Sequence, residues 1–339
     1  MLFGIYPGSV AGDDAGGLAA GRPDDPDRIA AAVADLQGQP GQRFLIRAYL
    51  RFDDKTLLGG PHSTSTPADA TRYAGDGRRL DLVVQYQSRS GDVAGYCTFL
   101  REVIEQYGAV TDRLQVTEEP NVTGNPVLDG YYPKVIDALA VGVSTAKDHA
   151  RQRGYRHLEV GFNTTPLFGA ATTFIAELTR QAGERFLADL DYVGLDFFPD
   201  VFQPIPEPDL AGAVEWMLRR HRNETLVPAG LGHVPLRITE HGWPTGPDRS
   251  PERQAQVVNT VVRTVAEAAA ELRIDGYSYF AMRDADSSRT GLFHQFGLLT
   301  DDYARKSAFD VYRNLIKEFG GQRESWTALP ARNRPDIPT

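Results

Sequence analysis

Two short segments of this chain each deliver a glutamate to a place where a carboxyl group could do chemistry. They are Leu114-Gln115-Val116-Thr117-Glu118-Glu119-Pro120-Asn121 and Leu236-Arg237-Ile238-Thr239-Glu240-His241-Gly242-Trp243-Pro244. Each begins as a short strand-like run containing β-branched residues, and each is halted at once after the glutamate by Pro or Gly, where a strand must stop. One such glutamate alone is an ordinary solvated loop residue. Two of them, Glu119 and Glu240, presented at one rim could cleave a glycosidic bond. One carboxylic acid would protonate the departing oxygen while the other carboxylate attacks the anomeric carbon or activates water.

Such a rim needs a scaffold, and the rest of the chain supplies one in regular instalments. Strand-like runs fall near 2–6, 44–49, 80–85, 114–117, 157–162, 192–197, 236–239 and 277–282. Their starts are roughly 35–45 residues apart, enough for a strand, a loop, a crossover helix and a return loop. Helix starts are signalled by Asp25-Pro26 ahead of the Ile29/Val33/Leu36 face, by Thr66-Pro67, and by Ser250-Pro251 ahead of the Val257/Val258/Val261/Val262/Val265 stripe. In each the cap side chain accepts from a free N–H, and Pro in the first helical position loses no hydrogen bond. Gly108 and Gly154 stand where C-terminal caps are expected, and a last helix around 303–319 should close at Gly320-Gly321. Eight alternating units without a break in composition predict an α/β fold, a (β/α)8 TIM barrel in a single domain over 1–320. A doubly wound open sheet would want a glycine fingerprint after the first strand, and Gly12, Gly16, Gly17 and Gly21 miss its spacing. Residues 321–339, polar and holding Pro330, Pro335 and Pro338, are expected to form an irregular tail.

Composition narrows the chemistry further. A chain of 339 residues with 41% hydrophobic residues can bury a large core. Its net charge of −9, with no clustered basic run, offers no footprint for nucleic acid. No apolar stretch approaches a membrane span, and Cys97, the single cysteine, excludes an internal disulfide. The segment Met1–Pro7 reads as a first strand and not as a leader, so a cytoplasmic protein is expected. A Schiff-base aldolase would need a lysine at a strand end, and only Lys55 comes near. The seven histidines are scattered, which disfavours a metal-dependent hydrolase, and neither metal nor cofactor is expected.

In a barrel of this kind the residues leaving each strand's C-terminal end are the ones that can react. Beyond the two glutamates that rule selects Tyr6, Arg47, Gln85, Asn163, Phe197, Phe198, Trp243, Arg283 and Asp284, with Glu118, Asn121 and His241 flanking the pair. Aromatic faces mixed with amide, guanidinium and carboxyl edges suit a carbohydrate. Packing alternatives stand beside these assignments: Phe197 and Phe198 as inner packing, Arg47 as a structural ion pair, Asn163 as a loop cap, His241 as a satisfied loop residue. Trp243, between Gly242 and Pro244, is expected to be a stacking platform.

With these residues the chain resembles glycoside hydrolase clan A, the (β/α)8 retaining glycosidases with catalytic glutamates on strands four and seven. The resemblance spans residues 1 to about 319. It implies Glu119 as acid/base, Glu240 as nucleophile and Arg47 as the strand-two arginine that braces the nucleophile. It further matches Gly194-Leu195-Asp196-Phe197-Phe198-Pro199 to the clan's strand six. Three departures stand out. Glu118 occupies the place of an Asn, Phe197 or Phe198 that of a strand-six Tyr touching the nucleophile, and Phe280-Ala281-Met282-Arg283-Asp284 that of a strand-eight Trp. An extra carboxylate at Glu118 must be answered by Arg47, by Arg283, or by a substrate carrying donors or positive charge. A transglycosidase, or a barrel that binds carbohydrate without turnover, shares most of these features.

Overall fold

The eight expected strands all form and close into one parallel barrel in the computed structural model, which describes residues 1–13, 15–56 and 65–321. They are β1 (Leu2–Ile5), β2 (Phe44–Phe52), β3 (Arg78–Tyr86), β4 (Thr111–Val116), β5 (Glu159–Thr164), β6 (Tyr192–Asp196), β7 (Leu236–His241) and β8 (Ile274–Tyr279). Each strand pairs with its neighbours in sequence, and β1 closes the ring against both β2 and β8. Among the described residues seven α-helices pack outside: α1 (Pro26–Gln37), α2 (Val93–Tyr107), α3 (Val135–Gln152), α4 (Phe174–Asp189), α5 (Leu210–Arg220), α6 (Pro251–Leu272) and α7 (Ser307–Phe319).

Side-chain alternation along the strands separates two environments. On β2, Phe44, Ile46, Ala48 and Leu50 belong to the apolar core beneath the helices, while Arg47 and Tyr49 take the opposite face. The barrel interior is polar, with Arg47, Asp81, Gln115, Asn163, Asp196 and Arg237 all at most 2% exposed. At the N-terminal end Arg237 closes the barrel by pairing with Asp275 (2.7 Å) and Glu159 (2.9 Å). The open cleft lies at the other end, where the strands run out.

The helix caps behave as their chemistry requires. Asp25 accepts from the amides of Asp27 and Arg28 ahead of Pro26, and Ser250 accepts from Arg253 ahead of Pro251. The Ile29/Val33/Leu36 face and the α6 valine stripe are buried. Thr66-Pro67 does not open a helix: Thr66 is extended, its backbone paired with Tyr49 in both directions (3.0 and 2.9 Å). Among the described residues the β2–β3 crossover holds only a 3-10 turn, Ala70–Tyr73. Gly154 has the left-handed φ expected of a cap (77°), but Gly108 does not (φ −56°). Gly108 is needed for another reason, since a Cβ there would meet the Tyr155 ring at 2.5 Å. The last helix begins at Ser307, after a turn in which Tyr303 takes φ 66°. The expected tail lies, from residue 322 on, outside the described residues.

Candidate active site

Glu240 reaches the barrel mouth through an irregularity in β7. Leu236 and Ile238 face the helices and Arg237 the interior, so strict alternation would send Glu240 outward. The register with β6 slips there, Leu195 pairing with Ile238 and Asp196 with Glu240. A matching slip occurs against β8. This bulge turns both Thr239 and Glu240 inward and re-aims His241 towards the helical layer. Glu240 Oε1 then accepts a short hydrogen bond from Tyr49 Oη and another from Arg47 Nε at 3.3 Å. Arg47 is fully buried and ties the site together. It also donates to Asp81 (3.2 Å) and Gln115 (2.9 Å), lies 3.6 Å from Glu118, and has Tyr49 Oη 2.9 Å from its Nε.

The end of β4 is shaped by two residues with left-handed backbone, Thr117 (φ 68°) and Glu119 (φ 44°). They allow consecutive glutamates to face the same cleft, where alternation would oppose them. Asn163, on β5, holds this turn: its Oδ1 accepts from the Glu119 amide at 2.9 Å. Its Nδ2 donates to Glu118 (3.3 Å) and to Asp196. Thr239 donates to the other Asp196 oxygen at 2.7 Å. Glu118 accepts from Gln115 Nε2 at 2.6 Å. Burial, then the charges of Asp196 and Glu240, hold the carboxyls of Glu118 and Glu119 well above the ordinary range, with Arg47 opposing. Asp196 is pushed up to about 7 by burial and then by Glu240. Oxygens of Glu118, Glu119 and Asp196 lie within 4.8 Å of one another, close enough to hold a cation. Glu118 already faces the Arg47 guanidinium at 3.6 Å.

Glu118, Glu119, Asp196 and Glu240 all line a cleft of about 1240 Å³ at the C-terminal end of the strands, together with Tyr6, Gln85, Phe197 and Phe198. Several residues named from the sequence stand elsewhere. Asn163 lies just behind the carboxyls as their support. Asn121 turns sideways and staples the loop after β4 to that after β5, its amide engaged with both the hydroxyl (2.7 Å) and the amide (3.1 Å) of Thr165. His241 is buried against Tyr277 and Tyr279, bonded through Nδ1 to the Tyr277 hydroxyl, and burial lowers its pKa to about 3. It is a neutral packing residue and does not touch Glu240. Trp243 is buried behind the rim, its indole N–H donating to Asp200 (3.1 Å), so it offers no open face for stacking. Arg283 clamps the loop after β1 through Ser9, the Arg22 carbonyl and Asp24 (2.7–2.8 Å). Asp284 receives Lys306 (2.7 Å) and the Gly297 amide (2.8 Å). Neither of these last two lines the cleft, and the partner of Glu118 is accordingly Arg47, not Arg283. Tyr49, Asp81, Gln115 and Asp196 were not singled out from the sequence as site residues. Tyr49 was signalled by its place two residues beyond Arg47, on the same strand face.

No protein-family model matches the chain, and comparison with curated proteins finds no match. Solved structures do resemble it. A β-glucosidase from Thermotoga maritima in complex with deoxynojirimycin is 14% identical over 86% of both chains, with a TM-score of 0.57. The family 1 β-glucosidase of Thermotoga maritima with isofagomine lactam is 14% identical over 87% of both chains, TM-score 0.57. A complex with castanospermine gives the same figures. At this identity the likeness is one of fold. No helix among the described residues is long and apolar enough to cross a membrane.

Proposed function

We propose that the protein is a glycoside hydrolase that works with retention, Glu240 as nucleophile and Glu119 as acid/base. The two carboxyls share a cleft but not an environment, and that contrast carries the assignment. Glu240 accepts hydrogen bonds from a guanidinium and a phenol. Glu119 is desolvated among other carboxyls and keeps its proton. In the first step Glu240 attacks the anomeric carbon while Glu119 gives its proton to the glycosidic oxygen. The C–O bond breaks, the aglycone leaves as an alcohol, and a glycosyl ester forms on Glu240. In the second step the Glu119 carboxylate takes a proton from water, whose oxygen attacks the anomeric carbon and releases Glu240. Arg47 and Tyr49 hold Glu240 in line, and Asn163 holds the Glu119 backbone.

A panel of α- and β-aryl glycosides of common hexoses tests this reading. Turnover of at least one, abolished in Glu240→Gln, is expected. Turnover that persists in Glu240→Gln would contradict it.

A further inference from the structure

The cleft has two chemically different sides. Towards β2–β4 its lining includes the polar side chains Arg51, Gln85, Gln87, Arg89 and Asn125 among aliphatic ones such as Val122 and Leu128; from β6 round to β8 phenylalanine predominates. Phe198 meets Phe202, Phe280 and Phe296 edge-on, with ring centroids 6.3, 6.4 and 5.9 Å apart. Phe280 stacks on Tyr6 at 5.1 Å, and Tyr6 abuts Tyr49, the donor to Glu240. Ring contacts thus run unbroken from Tyr49, beside the candidate nucleophile, through buried Tyr6 to Phe202 at the mouth, which is 62% exposed.

The apolar surface continues around the mouth. Leu18 and Phe168 line the cleft and remain exposed, and Phe168 stacks on exposed Trp216 with ring planes 13° apart. Four of the seven large hydrophobic side chains left exposed among the described residues, Leu18, Phe168, Phe202 and Trp216, gather here. An apolar patch concentrated at a cleft marks a binding surface. The volume, about 1240 Å³, exceeds the roughly 300–1,000 Å³ of ordinary ligand pockets. Apart from Gln203, a second sugar on this side would find few partners for its hydroxyls. Asp200, which lines the cleft beside Phe202, is occupied by Trp243, Arg253 and the Ile205 amide. Position selects which part of the substrate lies here. The acid/base candidate Glu119 follows β4, and Asn121 ties its loop to the loop after β5, which carries Pro166 and Phe168, so Phe168 borders the acid/base side of the cleft.

We infer that the leaving group of the substrate is a large apolar aglycone, alkyl or aryl, seated on Phe198, Phe202 and Phe168. The inference rests on the glycosidase roles of Glu119 and Glu240. Its test uses methyl, butyl and octyl glycosides of the sugar found in the aryl panel, whose alcohols differ little as leaving groups. Each buried methylene contributes up to about fourfold, so kcat/KM for octyl should exceed that for methyl by at least about a hundredfold. Phe202→Ser combined with Phe168→Ser, both at exposed positions, should cut the octyl-to-methyl ratio at least tenfold. A wild-type ratio within threefold would overturn the inference. Where no glycoside is turned over, calorimetric titration of the intact protein with octyl and methyl glycosides of both anomers decides separately. Preferential octyl binding would then uphold the apolar site and reject the catalytic roles; equal binding would reject the site. Octanol or phosphatidylcholine vesicles binding as tightly as octyl glycoside would also overturn it, assigning the face to an apolar partner and not to an aglycone.

Discussion

Tyr49 does for Glu240 what the clan resemblance assigns to a strand-six tyrosine, and it does so from β2. Its signal was legible, since Arg47 and Tyr49 are two apart and must share a strand face. The phenylalanines that follow β6 had pointed only to a loss. Tyr49→Phe should lower kcat by about 10–100-fold with little change in KM. A wild-type kcat in that variant would show that the contact is only structural. Glu119→Ala should cost about 10²–10⁴ on alkyl glycosides but far less on dinitrophenyl glycosides, whose leaving group needs no proton; equal losses would contradict the acid role. Glu118 faces the cleft, but its carboxyl is answered by Arg47, Gln115 and Asn163. Glu118→Asn should therefore leave the preference between neutral and amino-substituted glycosides unchanged. A shift above about tenfold would return Glu118 to specificity.

At the scale of elements, strand identity was readable from apolar periodicity, whereas side-chain direction at the strand ends was not. The β7 bulge inverts the parity that would have put His241 inside, and no local residue type announces it. The rim rule also treats every residue after a strand as exposed. Gly242 shows why that fails for Trp243: a Cβ there would sit 1.9 Å from the Phe280 carbonyl. The chain lies flat against the end of β8, and the indole that follows turns behind the rim. Gly194 on β6 has a similar function inside the barrel. A Cβ there would meet Thr239 Oγ1 at 2.6 Å and Asn163 Cβ at 2.9 Å, the two residues that hold Asp196. Gly194→Ala should cost about 1–3 kcal/mol of stability, measured by denaturant unfolding, and should reduce kcat more than an equally destabilising change in the helical layer. Wild-type kcat in that variant would show that the Asn163–Asp196–Thr239 arrangement is not needed for turnover.

For the whole molecule, the apolar core lies between sheet and helices, leaving the barrel interior to charge. That interior makes stability depend on pH with a definite sign. Asp196 is held up to about 7 by burial and then by Glu240, against about 3.9 in an unfolded chain. Between those values the native state keeps a proton that the unfolded state has released, so this contribution is full at low pH and is lost as pH rises through 7. Relative to Asp196→Asn, the wild type should lose on the order of 2–3 kcal/mol between pH 5 and 8, read from urea unfolding at each pH. Parallel pH dependences would contradict the buried, protonated Asp196. The central claim, a double displacement through Glu240, is tested most directly by the configuration of the first product. Proton NMR of the anomeric signal, recorded during hydrolysis of an accepted aryl glycoside before mutarotation, should show the hemiacetal in the same configuration as the substrate. The opposite anomer appearing first would mean direct attack by water and would contradict Glu240 as nucleophile.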